Sequence, residues 1–115
     1  MPLVAGIAMT LPLWGVAVPP LTDLPGHMGR WRIMLAPDAP MLAHSFAFRW
    51  GLVGNLAADL PVALLGPLLG IEAVTWLLAA LAAALTALAL VRLSARVHGR
   101  PGPAVLIALP LAHGY

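Results

Sequence analysis

The chain contains no cysteine, which removes disulfides and thiolate metal sites from consideration. Lysine is absent too, so every basic side chain other than histidine is one of six arginines; this reflects composition rather than chemistry. Charged residues make up only 9% of the sequence, against about 25% in soluble domains. The net charge of +2 and the sequence pI near 10.6 do not arise from a basic run, because the arginines are scattered over loop positions. Nucleic acid is therefore excluded as a partner. No Gly-x-Ser-x-Gly, Walker or HExxH pattern occurs. His44 and His98 lie at no metal-ligand spacing from a second histidine, so the sequence offers no metal site built on histidines.

What remains is apolar. Hydrophobic residues reach 62% and the mean hydropathy is +0.97, well beyond the soluble norm of about 45–50% apolar. Between Glu72 and Arg92 lie nineteen uncharged residues, with Thr75 and Thr86 the only polar side chains. At about 1.5 Å per residue such a helix covers roughly 28 Å, close to a bilayer's hydrocarbon thickness. Trp76, Leu77, Leu78, Leu81, Leu85, Leu88 and Leu90 leave it no polar face, as a soluble helix would need. The sequence thus predicts an all-α, polytopic membrane protein with a lipid bilayer as its solvent.

Three spans and part of a fourth are expected, at 2–18, 50–69, 73–91 and 104–115. The first carries Pro12, which removes a helical hydrogen bond, and stops at Pro19 and Pro20. Met1 leads straight into apolar sequence without a basic region, which argues against a cleavable signal peptide. Gly66, Pro67 and Gly70 mark a tight turn between the second and third spans. The last run ends after about twelve residues, short of a crossing, as in a fragment of a longer protein. Ala79, Ala83 and Ala87 recur every four residues and form a small-residue face for close helix packing.

The segment 21–49 is the one sizeable polar region. Thr22 or Asp23 can cap a short helix with Pro25 in its first turn. Leu24, Met28, Trp31 and Leu35 then share one face, and Asp23, His27 and Arg30 an adjacent one, the pattern of an interfacial helix. Pro37 and Pro40 break it, and Phe46, Phe48 and Trp50 suit the aromatic belt at a membrane interface.

Two sets of polar residues can carry chemistry. Asp23, His27 and Arg30 combine a base, a proton donor or ligand, and a phosphate-binding fork; a solvated helix face explains them equally well. Asp59 lies inside an expected span, where a carboxylate costs about 2.5–3.5 kcal/mol. It shares a face with Gly51, Asn55, Val62 and Gly66 at helical spacing, and that face is expected to look inward. An ion, proton or headgroup site with Asn55 and Asp59 is one interpretation, and an interhelical hydrogen bond or a helix cap is the other.

The run Pro19-Pro20-Leu21-Thr22-Asp23-Leu24-Pro25-Gly26-His27-Met28-Gly29-Arg30 after a first hydrophobic segment, together with Asn55 and Asp59, resembles the first-loop pattern of bacterial polytopic membrane proteins. These in turn resemble the C-type membrane glycosyltransferase superfamily, which transfers sugars from polyprenyl-phosphate donors. The resemblance implies residence in the bacterial inner membrane and a polyprenyl-phosphate lipid as partner. It also implies Asp23 as the acidic residue of a first extracytoplasmic loop that helps bind metal or activate the acceptor, as acid/base or metal ligand, with His27 beside it and Arg30 on the lipid-phosphate side. The arginine distribution instead places 21–49 and 92–103 together on the cytoplasmic side. The same residues are compatible with two other functions, a transporter or channel component centred on Asp59 and a membrane scaffold without catalysis.

Overall fold

The computed structural model describes residues 2–51, 54–100 and 102. Among them all regular structure is helical: α1 (Pro2–Thr10) with a 310 turn at Leu11–Leu13, α2 (Leu24–Leu35), the single turn α3 (Pro40–Ala43), α4 (Leu56–Leu69) and α5 (Ile71–His98). The expected fourth segment at 104–115 lies outside the described residues. Two compact units emerge, one formed by 17–76 and the other by 1–16 with 77–115.

One helix, α5, is long and apolar enough to cross a membrane. Its 28 residues extend about 42 Å at 1.5 Å per residue, further than the 73–91 expected from hydropathy alone. The backbone does not stop where charge begins. Glu72 in the first turn and Arg96 and His98 in the last each complement the helix dipole at their end. Termination comes at Gly99, whose φ of +70° ends the right-handed path in a conformation glycine adopts without strain.

The expected spans at 2–18 and 50–69 are shorter in the structure. α1 ends at Thr10, and the 310 turn that follows contains Pro12, which has no N–H to continue the ladder. α4 starts only at Leu56, with Asn55 at its N-cap position. Its 14 residues measure about 21 Å, below the roughly 30 Å of a hydrocarbon core. Hydropathy counted residues 50–55 into the span, but two glycines and an asparagine favour turns there over helix. α4 tolerates Pro61 and Pro67, and Gly70, at φ +86°, is the single residue between it and α5.

In the unit of 17–76, α2 follows its sequence pattern closely. Leu24 and Trp31 are buried, Met28 and Leu35 half-buried, and the opposite face is exposed. Asp23 occupies the N-cap position and Pro25 the first turn, but the Asp23 side chain makes no capping hydrogen bond. α2 packs on α4, and contacts advance in the same direction along both helices. Arg30 and Trp31 meet Asp59, and Leu35, one turn further along α2, meets Gly66, two turns further along α4. In the other unit, Met9 of α1 is buried with Ala83 and Ala87, Leu90 beside them. The small-residue stripe of α5 thus accepts α1 at close range, and Gly6 comes near the Ala84 backbone.

Candidate functional site

Asp59 is the most deeply buried charged residue of the described chain, 1% exposed. It sits in the first turn of α4, where the helix dipole favours an anion. Both carboxylate oxygens are engaged from α2. The Arg30 guanidinium donates Nη2–H to Oδ2 at 2.6 Å, and the Trp31 indole donates Nε1–H to Oδ1 at 2.9 Å. Consecutive residues of one helix converge on one carboxylate because Trp31 lies on the buried face of α2 and Arg30 reaches in from its edge. A buried carboxylate without such donors is strongly unfavourable, and with them it fastens α2 to α4.

The expected Asp23, His27 and Arg30 set is not assembled as one cluster. Arg30 turns to Asp59; His27 stacks on Trp31, with ring centroids 5.7 Å apart and planes at 28°. Asp23 is exposed, and its carboxylate has no hydrogen bond or ion pair among the described residues. Asn55 and Asp59 do not share a site through their side chains either. Asn55 is exposed and contributes its carbonyl, which accepts the Ala58 and Asp59 backbone N–H groups at 2.9 Å each. Val62 and Gly66 do share the buried face with Asp59. Among the described residues, no three His, Asp or Glu side chains come together as a metal site would require.

Trp31 as a carboxylate donor escaped the sequence analysis, which saw it only as an apolar anchor. The signal available was physical: a carboxylate on an inward face requires donors, and Arg30 and Trp31 sit where an amphipathic helix turns from its polar to its apolar side. Arg30 continues outward from the pair. Its guanidinium carbon lies 5.0 Å from the centroid of the Phe48 ring, a cation–π arrangement, and Phe48 meets Trp50 edge to face at 5.2 Å. This chain of contacts ties the irregular segment before α4 to α2.

Trp31→Phe tests the indole bond by keeping an aromatic ring for His27 while removing the donor. One buried oxygen of Asp59 then loses its partner, and the detergent-solubilised protein is expected to lose about 1–3 kcal/mol. Thermal unfolding checks this, and an unchanged midpoint would mean the indole bond contributes nothing.

No family model, curated protein or solved structure matches this chain.

Proposed function

We propose that this chain is a multi-pass integral membrane protein of the bacterial inner membrane that engages a lipid-borne phosphate. The observation that supports membrane residence is the exposure of large apolar side chains on three helices. Leu3, Val4 and Ile7 lie bare on α1, Leu60, Leu64 and Leu68 on α4, and Leu77, Leu81 and Leu85 on α5. Only 33% of the apolar window of α5 is buried, whereas the core helix of a soluble protein is covered on nearly all sides. In water such faces drive aggregation; in lipid they are solvated.

For activity we favour glycosyl transfer from a polyprenyl-phosphate donor, with Asp23 as the acid or base. Its support is that Asp23 is exposed, with no hydrogen bond or ion pair to its carboxylate among the described residues, at the start of the helix that carries Arg30. A transporter centred on Asp59 fits less well, because fixed donors already hold both of its oxygens. Asp59 is better suited to fastening than to exchanging a proton or ion.

The expected result is that the protein resists alkaline carbonate extraction from membranes, and that Asp23→Asn abolishes sugar transfer while expression persists. Release by carbonate removes membrane residence and everything built on it. Retained transfer in Asp23→Asn removes Asp23 as the acid or base, absence of transfer in the wild-type protein removes the enzyme assignment, and an effect of Asp59→Asn on ion or proton flux in a correctly folded protein favours the transporter.

A further inference from the structure

A cleft of about 330 Å3 opens between α2 and the segment leading to α4, lined by Arg30, Ile33, Phe46, Ala47, Phe48 and Arg49. Its volume lies at the lower end of the range for small-molecule sites. All six residues belong to the unit of 17–76. The lining is divided chemically into two guanidinium groups and a wall of aliphatic and phenyl carbon.

The charges in this cleft do not simply add to two. Asp59 neutralises Arg30 through the 2.6 Å ion pair, whereas Arg49 is exposed and has no ion pair among the described residues. The cleft therefore carries one net positive charge. The Arg30 side chain is 34% exposed and gives one Nη2–H to Asp59, so its guanidinium keeps further N–H donors for an anion. The pair with Asp59 and the Phe48 ring hold the guanidinium in place, so an incoming anion meets a donor whose orientation is already fixed.

We propose that this cleft binds the singly charged phosphodiester of a membrane lipid, with Arg49 supplying the uncompensated charge, Arg30 a pre-oriented donor, and Ile33, Phe46 and Phe48 the contact for the adjoining hydrocarbon. Guanidinium forks match phosphate oxygens, and one net charge matches one negative charge. The apolar wall distinguishes a lipid from a free inorganic ion. The proposal rests on membrane residence but not on glycosyl transfer: the cleft can hold a lipid phosphate in a protein that performs no chemistry on it.

The test uses the full chain in a neutral maltoside detergent, with short-chain phosphatidylglycerol, short-chain phosphatidylcholine and inorganic phosphate as separate probes and phosphorus NMR or native mass spectrometry as readout. Phosphatidylglycerol is expected to bind best, and Arg49→Gln to weaken it about tenfold or more, the loss of one charge-assisted contact. Phe46→Ala should weaken phosphatidylglycerol while leaving the weaker phosphate binding unchanged. Arg49 is exposed and makes no ion pair among the described residues, so Arg49→Gln is expected to fold, which its unfolding midpoint verifies. Wild-type affinity in Arg49→Gln overturns the site. Equal affinity for inorganic phosphate and phosphatidylglycerol overturns the lipid assignment. Carbonate extraction of the same protein separately tests membrane residence, so failure of that reading is distinguishable from failure of the cleft.

Discussion

Arg30→Met is expected to destabilise the protein by about 3 kcal/mol, the lower end of what unpairing a buried charge costs. The lower end applies because Arg30 is 34% exposed while Asp59 is 1% exposed, so water solvates one partner and not the other. Removing Arg30 strands a carboxylate whose remaining donor is the Trp31 indole. Asp59→Leu is expected to be milder, since the guanidinium left behind can reach water. The double variant Arg30→Met with Asp59→Leu should recover most of the loss, because apolar residues of similar size often replace a buried pair without net cost. Unfolding of all four proteins in one detergent gives the coupling energy. If the single and double variants lose stability additively, the two side chains do not act as a pair, and the fastening of α2 to α4 must lie elsewhere.

The two partners stand 29 residues apart, which explains why the pair was hard to read from the sequence. A helical wheel relates residues within one helix, and it correctly placed Leu24 and Trp31 on one face of α2 and Asp59, Val62 and Gly66 on one face of α4. It gives no information on which face meets which. Grouping Arg30 with Asp23 and His27 followed spacing along the chain, but a long arginine side chain at the margin of an apolar face is drawn to the nearest buried anion, wherever that lies in sequence. The inward orientation of Asp59 was legible because its cost in an apolar setting leaves few other arrangements.

Helix boundaries divide along the same line. The start of α2 was legible in the Asp23, Leu24, Pro25 sequence and its end in Pro37, since both act on the local backbone. The start of α4 was not, because hydropathy measures transfer to an apolar phase and is insensitive to whether Gly51, Gly54 and Asn55 support a helix. The extension of α5 through Arg92 and Arg96 was missed for the converse reason. Charge ends a hydrophobic run, whereas a helix continues until its backbone is redirected, here at Gly99. The all-helical character followed from the long apolar segments; the number of crossings does not follow from hydropathy when two of the helices are shorter than a bilayer is thick.

Gly66→Val is expected to separate α2 from α4 at a cost of about 1–3 kcal/mol, the usual penalty for overfilling a packed contact. A Cβ built at Gly66 falls 2.6 Å from Leu35 Cδ1 and 3.5 Å from Val62 Cγ1, so the first carbon already intrudes and the two Val methyl groups intrude further. Gly66→Ala should behave differently. The atom in its way is the end of a flexible, half-buried side chain, and Ala in place of Gly inside a helix returns about 0.5–1 kcal/mol, which offsets a change of Leu35 rotamer. The Val variant should also weaken the Arg30 to Asp59 contact about two turns away along α4, because it lifts α2 from the same face of α4. Combining it with Leu35→Ala makes room and should restore part of the loss, as sites in direct contact are not additive. Thermal unfolding of Gly66→Ala, Gly66→Val and Gly66→Val with Leu35→Ala decides the matter. A Val variant as stable as wild type would show that Gly66 is not where the helices touch, and that the carboxylate contact alone sets the spacing of α2 on α4.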